Sequence, residues 1–144
     1  MRKFITRGLF AATVGSLFSQ TAAATPPHEA HHTDAQPPIV TPLMTRPLPD
    51  IPGKEALMIT VDYPPGAADP IHRHDADAFV YVLEGSIIMQ VQGQKAVTLT
   101  PGQTYYEGPD DIHTVGKNAS DTKPAKFVVV LIKKQGAPAL TPVK

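Results

Sequence analysis

Along most of this chain the apolar positions fall at every second residue or in short apolar runs, and turn residues close each one. Alternation with period two puts one face of a strand into a core and the other towards water. The pattern predicts strands over 55–63 (EALMITVDY), 78–83 (AFVYVL), 86–91 (SIIMQV), 96–99 (AVTL), 104–107 (TYYE), 112–115 (IHTV) and 125–132 (AKFVVVLI). Pro64-Pro65-Gly66, Glu84-Gly85, Gly93, Pro101-Gly102 and Gly108-Pro109 punctuate them. The run at 125–132 is apolar without a break, which predicts burial on both faces. No segment beyond the N-terminus has the 3.6-residue period of a helix. Short strands at near-regular spacing predict an all-β sandwich or barrel.

Two segments fall outside this pattern. The first 24 residues, MRKFITRGLFAATVGSLFSQTAAA, have a basic start, a short apolar middle and a small-residue end. This is the form of an export signal, and it predicts a periplasmic or secreted protein with no membrane attachment after cleavage. Residues 25–53 carry eight prolines, which oppose helix and central strand alike, and read as a Pro-rich linker or arm. A short edge strand at Ile39-Val40 or Leu43-Met44 fits within it. The expected organisation is therefore signal 1–24, linker 25–53, barrel 54–134 and tail 135–144. The tail, QGAPALTPVK, reads as a Pro-containing extended end without function, free to lie along a partner subunit.

Composition narrows the chemistry. The whole chain of 144 residues has 13 basic and 13 acidic side chains. Removal of residues 1–24 takes away Arg2, Lys3 and Arg7, leaving ten basic against thirteen acidic groups. No basic patch is left for nucleic acid. Without cysteine there is neither disulfide nor thiolate ligand, so a metal would have to be held by His, carboxylate, Tyr or water. A barrel of about eighty residues has a small core, and pairing into a homodimer would extend it.

The candidate chemistry sits at PIHRHDADAFVYVLEG (70–85). His72 and His74 are two apart, so on an extended backbone both imidazoles face one side. Imidazole suits Zn, Cu, Fe and Ni. A further cluster, HEAHHTD (28–34), reads as a solvated tail that could bind metal loosely.

Gly66, His72-Arg73-His74, Ala78 and Gly85, followed by Pro101-Gly102 through His113, resemble the two motifs of the cupin superfamily. FVYVLEG (79–85) and LTPGQTYYEGPDDIHTV (99–115) are similar to small single-domain bacterial cupins, over residues 54–134. The resemblance implies a jelly-roll β-barrel with a divalent metal (Fe, Mn, Zn, Ni or Cu) held by His72, His74 and His113. It departs where the motif places a glutamate three or four residues after the second histidine, since Ala78 and Phe79 stand there. Asp75 and Asp77 have the wrong strand parity to replace it, unless a bulge re-aims Asp77. Glu107, just before the turn that leads to His113, is either the substitute carboxylate or an exposed turn residue. Glu107, Tyr105 and Tyr106 are the acid–base candidates, and Val80, Val82 and Met89 the expected inward face. Two functions are consistent with this. One is a metal-dependent enzyme, dioxygenase-like or a lyase or isomerase, acting on a small organic molecule. The other is a non-catalytic binding module for a small molecule or metal.

Overall fold

A computed structural model describes residues 35–143. The expected export signal and the HEAHHTD cluster lie outside the described residues. Among the described residues there are ten strands: β1 (Ile39–Pro47), β2 (Lys54–Tyr63), β3 (His72–Arg73), β4 (Ala76–Glu84), β5 (Ile87–Val91), β6 (Val97–Leu99), β7 (Thr104–Glu107), β8 (His113–Asn118), β9 (Ala125–Lys134) and β10 (Thr141–Pro142). They form two antiparallel five-stranded sheets, ordered β1-β2-β9-β4-β7 and β10-β3-β8-β5-β6. This is an all-β jelly-roll barrel, as the alternation and the motifs predicted.

Alternation decides what the barrel encloses. Along β4, Ala76, Ala78, Val80 and Val82 point inward while Phe79, Tyr81 and Leu83 are exposed. Ile87, Met89 and Val91 of β5 and Phe127, Val129 and Leu131 of β9 complete most of the core. Each such aliphatic or aromatic side chain contributes roughly 1.5–3 kcal/mol when fully buried. Gly85 closes the β4–β5 turn at φ +68°, where a Cβ would lie 2.4 Å from the Pro124 carbonyl oxygen. Only glycine fits that turn. Asn118, at the end of β8, donates its amide to the carbonyls of Tyr63, Pro64 and Lys123, tying two loops together.

Three differences from the sequence reading bear on the site. The linker assigned through residue 53 is, from Ile39 to Pro47, a nine-residue strand fully exposed at the edge of the larger sheet. An edge tolerates Pro42 and Pro47 because one row of its backbone groups needs no ladder partner, and the register shifts between Pro42 and Met44. Second, β9 is not buried on both faces: Val128, Val130 and Ile132 on its outer side are half-buried, shaded by β2 and β4. Third, the tail is not a free end. Thr141 and Pro142 pair with Arg73 and His72 of β3, and the Val143 amide donates to the Ile71 carbonyl. The turn that sends the tail back is held by Lys133. This lysine is buried, pairs with Glu55, and donates to the Ala137 carbonyl at 2.6 Å.

Candidate metal centre

Both sheets contribute to the centre. His72 on β3 lies opposite His113 on β8 in the smaller sheet. The chain then changes sheets at Asp75, whose φ of +49° is the left-handed corner between β3 and β4. An aspartate tolerates that conformation better than most residues. The corner leaves His74, Ala76 and Ala78 on successive inward positions, and Ala78 lies directly opposite Glu107 of β7 in the larger sheet. The carboxylate absent at 78 therefore arrives from the next strand. Inward residues paired across two antiparallel strands have Cβ atoms about 5 Å apart, a gap that the longer glutamate side chain covers.

Four ligand atoms converge. His72 Nε2 is 3.2 Å from His74 Nε2 and 3.3 Å from His113 Nδ1. Glu107 Oε2 is 3.4 Å from His74 Nε2 and 3.3 Å from His113 Nδ1. His72, Glu107 and His113 are buried and His74 nearly so, and one ligand atom from each lies within 4.8 Å of all the others. Ligands about 2.1 Å from one first-row ion and 90–110° apart stand about 3.0–3.4 Å from each other. The observed contacts have that spacing.

Backbone carbonyls set the orientation of all three rings. His72 Nδ1 donates to the Pro70 carbonyl at 2.7 Å, His74 Nδ1 to the Ala139 carbonyl at 2.6 Å, and His113 Nε2 to the Val115 carbonyl at 2.6 Å. A carbonyl only accepts, so in each ring the outer nitrogen carries the proton. The inner nitrogen of the neutral ring then has a bare lone pair. The three inner nitrogens and Glu107 Oε2 thus present lone pairs to each other. Among the described residues Glu107 Oε2, though buried, has no hydrogen-bond partner. Buried acceptors without a donor are costly, and a cation at their common focus would satisfy all four. The residues present fit a divalent metal, with outer-nitrogen hydrogen bonds of the kind that orient metal-bound histidines.

Electrostatics describe the competing occupant, a proton. Burial works against a charged His74, but Glu107 and the Ala139 carbonyl outweigh it and hold its pKa above the ordinary value. Burial also works against an ionised Glu107, yet His74 and the neighbouring imidazoles keep its pKa below the usual carboxylate range. Burial, against the pull of the Pro70 carbonyl, lowers that of His72.

A cavity of about 90 Å³ opens beside the four ligands. Val80, Met89, Val61, Phe127 and Leu140 supply much of its apolar wall, and Asp69 joins the polar end. Of the expected inward residues, Val82 is buried in the core without reaching this cavity. Of the acid–base candidates, Glu107 stands in the cluster. Tyr106 faces the other way: it is exposed on the outer face and donates to Asp77 at 2.7 Å. That contact also shows Asp77 to be outward, as its parity required. Tyr105 points inward but does not line the cavity. Sequence reasoning missed Asp69 and the Ala139 carbonyl. A main-chain acceptor has no residue signature, and the tail's only signal was its prolines.

Residues 59–131 match the family model described as "Cupin domain". The chain belongs to the cupin family. Solved structures agree on the fold. A cupin domain from Bordetella pertussis is 26% identical with a TM-score of 0.54, over 69% of this chain and 96% of its own. The DMSP lyase DddQ from Ruegeria pomeroyi is 19% identical with a TM-score of 0.54, over 61% of this chain and 43% of its own. An oxalate oxidase in complex with the substrate analogue glycolate is 24% identical with a TM-score of 0.57, over 74% of this chain and 55% of its own. This cupin thus spans about half the length of the two enzymes or less. No curated protein matches it.

Proposed function

We propose that this cupin holds one divalent first-row metal through His72, His74, His113 and Glu107, and that it acts on a small organic molecule in the adjoining cavity. The observation that carries this reading is the convergence of four lone pairs, with each imidazole's outer nitrogen tied to a backbone carbonyl. Imidazole and carboxylate together suit Fe, Mn, Zn, Ni and Cu. When bound, such an ion supplies a Lewis acid, or with a redox-active metal an oxidative centre. The carboxylate of Glu107 offsets part of the ion's charge, so the reading extends to oxidoreductase chemistry of the dioxygenase type as well as to lyase or isomerase chemistry. The chain's own contributions are specific. The histidines keep fixed tautomers, Glu107 is the one carboxylate among the ligands, and the aliphatic wall excludes water from the substrate's apolar part.

Export to the periplasm or beyond is part of the proposal, supported by the basic–apolar–small order of residues 1–24. So is pairing with a second copy of the chain. Phe79, Tyr81, Leu83 and Tyr106 give the outer face of the larger sheet an exposed apolar surface of the kind that marks interaction sites.

Elemental analysis of the purified protein beside a His72→Ala, His74→Ala double variant tests the reading. Near-stoichiometric metal in the wild type, lost in the variant, is the expected result. Absence of metal from the wild type, with no thermal stabilisation when metals are added back, would leave a non-catalytic binding module in its place.

A further inference from the structure

One polar group in the cavity is outside the metal-binding set. Asp69 lines the cavity beside the histidines, and its Oδ2 accepts the hydroxyl of Tyr63. Tyr63 is wholly buried, its ring packed edge-on against Phe127 at 5.0 Å, so the carboxylate is anchored from inside the core. The Asp69 amide is fixed as well, donating to the Gly116 carbonyl at 2.8 Å. The fold makes room for this pair. A Cβ on Gly116 would stand 2.9 Å from His113 Cε1, 3.0 Å from Asp69 Oδ2 and 3.1 Å from the Tyr63 hydroxyl. The three groups thus crowd around one glycine, and Asp69 lies no further from the His113 ring than the sum of the first two distances. Among the described residues Tyr63 is the one side chain that donates to Asp69, which leaves a carboxylate oxygen with acceptor capacity at the cavity's polar end.

Charge limits what this cavity can take. Among the described residues two carboxylates, Asp69 and Glu107, line it, and neither lysine nor arginine does. With a divalent ion in place the sum is neutral. A carboxylate substrate would add a charge with no cation left to meet it, inside a mostly aliphatic wall where unpaired charge is expensive. Size limits it too. About 90 Å³ corresponds to the liquid volume of roughly three waters. Resting on the metal reading above, we propose that the cavity admits a small uncharged organic molecule bearing a hydroxyl or amino donor, and that Asp69 accepts that donor. Asp69 is then the specificity-determining residue of the site, and it selects against anions.

Hydroxyacetone and glycolate test this, because both carry a hydroxyl on a two-carbon carbonyl frame and differ by one negative charge. Each is titrated into the cobalt(II)-loaded protein and followed through the cobalt absorption spectrum. The wild type is expected to bind hydroxyacetone at least as tightly as glycolate, although a carboxylate is ordinarily the better donor to a divalent cation. Asp69→Asn removes the charge and keeps the shape. It is expected to move the ratio of the two affinities about tenfold towards glycolate, with cobalt stoichiometry unchanged. A wild-type preference for glycolate, or a ratio that Asp69→Asn leaves unaltered, overturns the proposal while the metal reading stands. Failure of the wild type to take up cobalt overturns both. Should Asp69→Asn not hold cobalt, Tyr63→Phe provides the second variant. It strips Asp69 of its donor and is expected to move the ratio further towards hydroxyacetone, and an unmoved ratio there is equally fatal.

Discussion

Ala78 on β4 and Glu107 on β7 face each other across one antiparallel pair. Both are buried and both point into the barrel at the level of the histidines. The family's first motif would place the carboxylate at or next to residue 78, and here the partner strand carries it. The difference between the two strands is that a metal centre needs a donor at a point in space, and the neighbouring strand reaches that point as well as the first. Two of the other donors, His72 and His113, come from the opposite sheet, where β3 and β8 have no such freedom, and His74 sits where the chain crosses between the sheets. His72 and His113 are paired with each other, and both rings are already used.

Exchange of the two residues is the strongest way to break this comparison. Glu107→Ala should weaken metal binding by more than the roughly 10–100-fold that loss of an outer-shell partner costs. It should also leave the barrel folded, since a buried acceptor without a donor is removed. Ala78→Glu added to Glu107→Ala returns a carboxylate to the same face one strand away. The double variant should recover at least half of the lost binding free energy, measured by competition with a metal-responsive dye. Equal affinities for the single and double variants would mean that the two positions are not equivalent.

The same contrast explains what could be read from the sequence. All seven predicted strands are present with ends shifted by at most three residues, because each is an alternating or short apolar run closed by turn residues. The remaining strands carry no such signal: β1, expected only as a short edge strand, is exposed along its whole length, and β3 and β10, unassigned, are two residues each. At the site, His72, His74 and His113 were visible from spacing and resemblance. Glu107 was visible only as one option, because its cross-strand pairing with Ala78 depends on register and not on sequence distance. Asp69 was not singled out in the sequence, and its cavity contact depends on how the loop before β3 folds over Gly116.

A smaller effect separates the N-terminal and C-terminal contributions to His74. Its ring is held on one side by the barrel and on the other by the Ala139 carbonyl of the tail. Truncation after Ala137 keeps the Lys133–Ala137 contact and removes that acceptor. Metal affinity is expected to fall about 10–100-fold, while the metal-free protein melts within a few degrees of the full chain, judged by calorimetry. A truncated chain with undiminished affinity would show that the barrel alone orients His74.

The least severe test changes only pH. In the metal-free protein the pKa of His74 is raised, so its pairing with Glu107 stabilises the fold below the unfolded value of about 6.5. That contribution is lost as pH rises through the raised value. Glu107 is lowered, so its contribution is present above the unfolded carboxylate value and is lost as pH falls through the depressed one. His72 is lowered by burial and opposes folding as pH falls below about 6.5. A metal requires all three rings without inner protons. Between pH 8 and pH 5 the metal must therefore displace a proton from a His74 that the site itself stabilises, and increasingly one from His72. The metal-induced rise in melting temperature should shrink steadily over that range, with proton release seen by calorimetry in buffers of different ionisation enthalpy. Removal of the tail sharpens the comparison. Without the Ala139 carbonyl one of the groups that raise the His74 pKa is gone, leaving Glu107 and Asp69, so the onset of proton competition should move to lower pH even as the affinity at pH 8 falls. A structural disturbance alone would lower the affinity without moving the onset.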